Sequence, residues 1–330
     1  MKTIKWGKGP LFSPPDPFGF RKNQKDMDRS LRVKTTTVDR VVDEYIKDGC
    51  YIASGGFGTN RIPTALIHEI VRKKKKDLSF AGHTSTHDYQ ILINGECIKR
   101  VDAAYIVGLE ARGLSTSARK AHENGLIELC EWSNASLAWR FSAGARGIPF
   151  FPTYVNLGTD TFEYSAACVV ECPYTGKPVS LVPALNPDVA LIHVHRADET
   201  GNCEIEGITV ADTDIAAASR TTIVTCEEMV SADYFRRNPN RTTIPWFCVD
   251  AVIQVPNGSY PGNMPGIYFS DEAHLREWLE AEKDEKKLKD FMNKYIYSTK
   301  CFEEYVEKCG GKKRIEELRK KELTGDILNG

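Results

Sequence analysis

The chain has 330 residues, of which 41% are hydrophobic and 27% are charged, and its net charge is −1. This composition is that of a globular protein, and the near-neutral charge argues against a nucleic-acid or membrane-surface role, which needs an excess of basic residues. No apolar run approaches the roughly 20 residues of a membrane span, and the N-terminus lacks the apolar core of a secretory signal. We therefore expect a cytoplasmic protein that binds neither nucleic acid nor membrane.

Residues 1–33 are rich in proline, lysine and arginine and show little hydrophobic periodicity. They predict an extended N-terminal arm that lies on the body or on a partner chain, with a disordered tail as the alternative. From Thr37 onward, strand and helix patterns alternate. After a first strand before Gly55, we predict extended segments at 78–81, 103–107, 126–130, 148–152, 189–195, 222–226 and 251–256. Between and after them we predict helices from 37 to the stop at 49, and at 65–76, 89–94, 112–124, 137–145, 211–219 and 273–323.

This alternation is typical of an α/β fold with an open, mainly parallel sheet and helices on both faces. We find no internal repeat and no clear linker, which favours one domain with peripheral arms. We predict an N-terminal arm at 1–33, a main domain at 34–300 and a C-terminal helical tail at 301–330.

The ten cysteines are dispersed and none forms a Cys-x-x-Cys pair. Most lie in apolar segments, so we interpret them as buried free thiols. Cys168 and Cys172 have a poor spacing for zinc, and we predict no metal site. His193 and His195 point to the same face of one strand. A zinc pair is conceivable there, but histidines held by hydrogen bonds are the preferred interpretation.

The segment Asp48 to Pro63 contains the most informative motif. A short apolar strand runs into Gly55-Gly56-Phe57-Gly58, and Pro63 suits the first turn of a helix. Such glycines let a ligand approach the backbone, and a helix N-terminus favours anionic groups. The motif is neither a Gly-x-Gly-x-x-Gly nor a Walker-type loop, which disfavours nicotinamide and nucleotide enzymes.

The sequence of this segment resembles the coenzyme A signature of family I CoA-transferases, α-subunit type, and is most similar to that of the glutaconate CoA-transferase branch. Two positions depart from the usual pattern, because Ser54 replaces an apolar residue and Arg61 stands where many members have glycine. A second matching block runs from Asp214 through Thr225-Cys226-Glu227-Glu228 to Val252. The resemblance covers about residues 37–298.

Polar residues follow the predicted strands at the carboxyl edge of the sheet, where parallel sheets bind ligands. His83 is either a general base or an ordinary polar loop residue, and Glu110 either pairs with a neighbouring arginine or takes a direct part. Asn134 stands where many relatives carry a glutamine that holds the reacting carbonyl, so we rank it first for oxyanion contact. The loop at 82–85 should lie beside the glycine-rich loop, where its amides and the Thr84 and Ser85 hydroxyls would suit a carboxylate or thioester carbonyl. We therefore predict acyl-CoA or substrate binding by Gly55, Gly56, Phe57, Gly58, Asn60, Gly82, His83, Thr84, Ser85 and Glu110.

The resemblance implies a ping-pong transfer of CoA between an acyl-CoA and a carboxylic acid, through a glutamyl-CoA thioester on a β subunit. His122-Glu123-Asn124-Gly125 is superficially similar to the motif of that nucleophilic glutamate, but we interpret it as a helix stop. We therefore expect no catalytic nucleophile in this chain, no permanently bound cofactor, and activity only with a β-type partner. Two alternatives remain, a subunit of a ring-cleaving acyl-CoA hydrolase and a non-catalytic ligand-binding or scaffold subunit. The hydrolase is disfavoured by Asn134, although Glu131 lies nearby.

Overall fold

The computed structural model describes residues 2–106 and 113–324. Within them, a central sheet has the strand order β12-β11-β9-β2-β3-β4-β5, and every neighbouring pair in this order is parallel. The strands are β2 (Tyr51–Ser54), β3 (Leu78–Gly82), β4 (Ile98–Ala103), β5 (Glu128–Glu131), β9 (Val189–Asp198), β11 (Thr221–Val230) and β12 (Ala251–Gln254). The short strand β10 (Cys203–Glu204) pairs antiparallel with β9. The predicted α/β fold is confirmed.

Helices cover both faces of this sheet. One face packs against α2 (Val38–Tyr45), α3 (Thr64–Arg72), α4 (His87–Asn94), α5 (Thr116–Glu123) and the C-terminal helices. The other face packs against α6 (Asn134–Arg146), α7 (Asp160–Glu163) and α8 (Asp212–Ala218). Successive strand residues point to opposite faces, so Ile52 and Phe80 enter the first core while Ala53 and Ala81 enter the second.

A second, antiparallel sheet was not predicted. Its order is β1-β7-β8-β6, with β1 (Thr3–Trp6), β6 (Phe150–Thr153), β7 (Cys168–Glu171) and β8 (Pro178–Pro183). The N-terminal arm therefore lies on the body through β1, and it also contains α1 (Pro17–Asp26). All four residues of β1 are exposed, which explains why no hydrophobic pattern revealed the strand.

The third strand of the sequence prediction was misplaced. We expected it at 103–107, but β4 spans Ile98–Ala103. This strand carries Lys99, Arg100 and Asp102, which gave it a polar pattern. Asp102 is nonetheless buried, because Arg140 on α6 pairs with its carboxylate. Arg140 lies 38 positions from Asp102 in the sequence, so the local pattern could not reveal this partner, which allows the charged strand to be buried.

After α9 (Ala232–Arg237) and β12, the chain is mainly helical, as predicted. The helices are α10 (Glu272–Ala281), α11 (Glu285–Met292), α12 (Phe302–Lys308) and α13 (Gly311–Thr324), with a π-helical turn at Asn293–Tyr297. Side chains of α12 and α13, including Phe302, Tyr305 and Leu318, join the same core as α3. The division at residue 300 remains a prediction.

Each of the ten cysteines lies in the described part of the chain and is a free thiol, as the sequence indicated. The expected burial holds only for Cys97, Cys130, Cys203 and Cys226, because five others are half-buried and Cys301 is exposed. Burial raises the pKa of Cys97, Cys130 and Cys226 to about 12, so these thiols stay protonated at neutral pH. Across residues 2–106 and 113–324, no helix is both long and apolar enough to cross a membrane.

Candidate functional site

The glycine-rich loop follows β2 at the carboxyl end of the central sheet and closes in a tight turn. Phe57 and Asn60 exchange backbone hydrogen bonds of 3.0 and 2.9 Å. The Asn60 side chain donates to the carbonyl of Phe57 (3.0 Å) and accepts from the side chain of Asn263 (2.6 Å). Asn60 therefore braces the turn from within and fixes it to a second loop.

The backbone amides of residues 55–58 all donate inside the protein. Their acceptors, in chain order, are the carbonyl of Leu191 (2.8 Å), a carboxylate oxygen of Asp212 (2.9 Å), the carbonyl of Asn60 (3.0 Å) and the carbonyl of Thr84 (2.8 Å). A ligand at this loop meets side chains and not open amide donors. This differs from the sequence-based expectation that a ligand approaches the backbone of these glycines.

Close internal packing requires the glycines of this region. A Cβ on Gly55 would stand 2.6 Å from Oδ1 of Asp212, and one on Gly82 would clash with Oγ of Ser85. Gly56 has a φ of +87°, and a Cβ there would approach the carbonyl oxygen of Asn60 to 2.5 Å. These glycines are therefore required for the conformation of the loops themselves, independently of any ligand.

The loop after β3 lies against the glycine-rich loop, as predicted from the parallel sheet. Besides the bond from Gly58 to Thr84, the hydroxyl of Thr86 donates to the carbonyl of Gly58 at 2.6 Å. The amide of Ser85 donates to the carbonyl of Tyr105 at 2.8 Å. Thr84 and Ser85 are both buried, so the two loops form one packed unit.

His83, Phe57 and Asn134 meet on this unit. The rings of His83 and Phe57 have centroids 5.6 Å apart and are tilted by 36°. The backbone of Asn134 lies close enough to His83 to influence its pKa, and Nδ1 of His83 lies 3.2 Å from the hydroxyl of Thr84. Asn134 is exposed and is the first residue of α6, after a capping box formed by Ser133 and Ser136. The structure thus brings together residues from three predicted loops.

Burial lowers the pKa of His83 below its usual value, while the nearby backbone of Asn134 and the charge of Asp212 oppose this shift. The imidazole is therefore neutral at pH 7 and can accept a proton or a hydrogen bond. A neutral, buried imidazole beside the exposed residue Asn134 is chemically suited to orient a polar substrate group.

Glu110 lies outside the described residues. Glu131, at the end of β5, is half-buried, and burial raises the pKa of its carboxyl group. Glu123 ends α5, with Asn124 as its C-cap and Gly125 at a φ of +65°, so its interpretation as a helix stop is confirmed.

The sequence did not identify a buried ion pair behind the glycine-rich loop. Arg61 donates to both carboxylate oxygens of Asp212 at 3.0 and 2.9 Å, and neither side chain is exposed. The two residues are 151 positions apart. The one available signal was the presence of arginine where the family signature has glycine.

A second buried network explains the Thr-Cys-Glu-Glu motif. Glu227 accepts from the hydroxyl of Tyr268 (2.7 Å) and the amide of Asn257 (2.7 Å), and lies 2.9 Å from Nε2 of His193. His195 Nε2 lies 2.9 Å from the carbonyl of Pro265. Both histidines are therefore held by hydrogen bonds, as preferred. Glu227 and its partners support the loop that holds Asn60 through Asn263.

In the part of the chain that the structure describes, no group of three or more histidine, cysteine, aspartate or glutamate side chains is arranged to hold a metal ion.

Comparisons with known proteins agree with this geometry. The family model described as Coenzyme A transferase matches residues 35–255. The chain belongs to the coenzyme A transferase family. It is 30% identical to the A-type chain of glutaconate CoA-transferase from Acidaminococcus fermentans, over 86% of this chain and 93% of that protein. It is 33% identical to the A-type chain of 3-oxoadipate CoA-transferase from Pseudomonas knackmussii, over 82% and 96%.

The crystal structure of the Acidaminococcus fermentans glutaconate CoA-transferase superposes with a TM-score of 0.83 at 30% identity, covering 87% of this chain and 95% of that chain. The coenzyme A transferase match begins just before α2 and ends just after β12. It therefore includes both loops of the candidate site. This places the chain among the A-type subunits of heteromeric CoA-transferases and confirms the sequence-based family assignment.

Proposed function

We propose that this coenzyme A transferase chain works with a B-type partner and moves CoA from an acyl-CoA to a carboxylic acid. The substrates would be CoA thioesters, and the route would be ping-pong, through a glutamyl-CoA thioester on the partner. The observation that carries the proposal is the proximity of Phe57, on the loop that bears the family signature, to His83 and Asn134 from two neighbouring loops.

The chemistry of the described acids supports a nucleophile on the partner. Asp88 and Asp212, the carboxylates packed behind the two loops, are fully buried. Asp212 is engaged by Arg61 and Gly56, and Asp88 accepts from the amide of Thr86 at 2.8 Å. Neither can reach a thioester carbon from this position, so this chain would contribute binding and carbonyl polarisation.

We assign distinct roles to the three meeting residues. The side-chain amide of Asn134 would donate to the thioester oxygen, where negative charge develops in the transition state. Phe57 would supply an apolar surface for the pantetheine or acyl chain, and neutral His83 would accept a hydrogen bond from the substrate. Gly55, Gly56, Gly58, Asn60, Gly82, Thr84, Ser85 and Glu110 complete the proposed binding set.

The names of the two relatives also suggest which acyl group is transferred. Their names specify glutaconate and 3-oxoadipate, which are both dicarboxylic acids of moderate length. We therefore propose a dicarboxylic acyl-CoA as one substrate.

The test is to co-produce this chain with the product of the neighbouring reading frame and supply glutaconyl-CoA or 3-oxoadipyl-CoA with acetate. The expected result is acetyl-CoA formation and a borohydride- or hydroxylamine-sensitive CoA adduct on a glutamate of the partner. The chain alone serves as the control and should be inactive. Release of free CoA without an acceptor acid would favour the hydrolase, and no turnover would favour a scaffold role.

A further inference from the structure

Both departures of this chain from the family signature lie close to a buried carboxylate. Ser54, which replaces an apolar residue, donates its hydroxyl to the carbonyl of Gly55 at 3.2 Å, and its proximity to Asp88 lowers the pKa of that carboxyl group against the effect of burial. Arg61, which replaces glycine, pairs with Asp212. The unusual residues of the loop are therefore matched by acids from other elements.

The Arg61–Asp212 pair contacts three segments at once. Asp212, the first residue of α8, accepts from the guanidinium of Arg61 and from the amide of Gly56. The guanidinium also donates to the carbonyl of Ile208. The pair thus connects the glycine-rich loop, the start of α8 and the loop at 205–211.

The backbone around the pair adopts conformations that need such restraint. Arg61 has a φ of +57° and Val210 a φ of +35°, although neither is a glycine. A β-branched residue at positive φ is strained and persists only where its surroundings hold it. The ion pair restrains both loops. Arg61 is itself one of the strained residues, and its guanidinium donates to the carbonyl of Ile208, two positions before the strained Val210.

The pair also acts electrostatically on the candidate site. The charge of Asp212 raises the pKa of His83, which the burial of this imidazole lowers. Ile208, whose carbonyl accepts from the guanidinium of Arg61, and Val210 are 48% and 39% exposed. The pair therefore acts on the imidazole through its charge and on an exposed apolar loop through a hydrogen bond.

We propose that Arg61 and Asp212 are positioning residues of the acyl-CoA site, which fix the glycine-rich loop and the 205–211 loop in register with each other. This inference rests on the proposed function. It predicts that loss of the pair loosens these two loops and weakens acyl-CoA binding, beyond any general effect on folding. The residues act through Phe57 and His83 and make no contact with substrate themselves.

The test uses the double variant R61M/D212N. Methionine keeps much of the arginine's volume, and asparagine keeps an acceptor for the amide of Gly56, so no unpaired charge is buried and the fold should persist. The single variant R61M leaves Asp212 charged and unpaired and should lower the unfolding midpoint strongly. R314Q likewise removes the arginine partner of a buried acid, since Arg314 on α13 pairs with Asp271, and it provides the control for R61M.

Hydrogen–deuterium exchange of the intact chain is the first measurement. In R61M/D212N, peptides covering 54–62 and 205–212 should exchange about tenfold faster, while β11 peptides keep the wild-type rate. R314Q should leave both loop peptides unchanged. Wild-type exchange in these loops of the double variant would overturn the proposal, as would a uniform acceleration across the chain.

The second measurement is steady-state kinetics of the complex with its partner. The KM for the acyl-CoA should rise about tenfold in R61M/D212N with a smaller change in kcat, because binding geometry is lost and the reacting groups remain. An unchanged KM would overturn the positioning role. If wild-type complex shows no CoA transfer but the loop exchange is selectively faster, the proposed function fails while the restraint of the loops is supported.

Discussion

Arg140 donates from Nη1 to Oδ1 of Asp102 across 2.5 Å, and the two side chains are buried beneath the carboxyl edge of the sheet. Trp132 donates from its indole to the same oxygen, and the hydroxyl of Tyr51 donates to the other. The guanidinium also lies 4.3 Å from the centroid of the Trp132 ring. This cluster joins β2 and β4 to α6, whose first residue is Asn134.

Replacing Arg140 by leucine should destabilise the protein strongly. The carboxylate of Asp102 would stay buried without its cation, which costs about 3–5 kcal/mol in the free energy of unfolding. Urea denaturation measures this loss. R146Q is the control, because Arg146 pairs with Asp214 at the surface and should change stability by about 0–1 kcal/mol. Equal losses in both variants would contradict this view of the cluster.

Changing the side-chain amide of Asn134 should slow CoA transfer. N134D keeps the shape but lacks the donor, and N134A lacks both, so each should lower kcat by about 100-fold if the amide holds the thioester oxygen. The measurement is initial-rate kinetics of the complex. Because Ser133 caps the helix, both variants should unfold at the wild-type urea concentration. Wild-type kcat in N134D would remove Asn134 from the site.

His68 should make the fold sensitive to acid. It is fully buried among Trp278, Phe302 and Tyr305, and burial lowers its pKa well below the ordinary 6.5. Its ring nitrogens have no hydrogen-bond partner among the described residues. The unfolded chain binds a proton at this residue more readily than the folded one does. Stability is therefore lost as the pH falls below about 6.5.

The variant H68F isolates this contribution. Between about pH 6.5 and 5, the unfolding free energy of the wild type should fall more steeply than that of H68F, by up to about 1.4 kcal/mol per pH unit. Denaturation at a series of pH values gives both slopes. Parallel curves would show that His68 is not the group responsible.

Asp88 should have the opposite pH dependence. Burial raises its pKa above the usual 3.8, so the folded state binds this proton more tightly than the unfolded state. The resulting penalty is fully present above the raised pKa and disappears as the pH falls towards 3.8. The stability of the wild type relative to D88N should therefore increase as the solution is acidified. A pH-independent difference between the two proteins would contradict this assignment.

The sequence predicted those parts of the fold whose information is local. An apolar strand, the glycine-rich turn and a proline-started helix follow one another at 51–64, and each signal lies within a few residues. The helix stop at Gly125 was equally readable. By contrast, β4 was displaced, because its charged residues are explained by Arg140 on another element.

The candidate site shows the same division. The meeting of the two loops follows from parallel strand order, which the alternating pattern revealed. The sequence could not predict that the loop amides donate hydrogen bonds to Leu191, Asp212 and Thr84, because these acceptors come from other parts of the chain. Likewise, β1 has four exposed residues and no hydrophobic periodicity, so it is recognised as a strand only by its antiparallel pairing with β7.

The internal bonds of the 55–58 amides have a thermodynamic consequence for recognition. A loop whose donors are already satisfied reaches its bound geometry before a ligand arrives, so little chain entropy is lost when the complex forms. In the proposed reaction, the ordering penalty of assembly would then fall on the flexible thioester and on the surface of the partner. In this division, the present chain acts as the rigid template against which the mobile components are aligned.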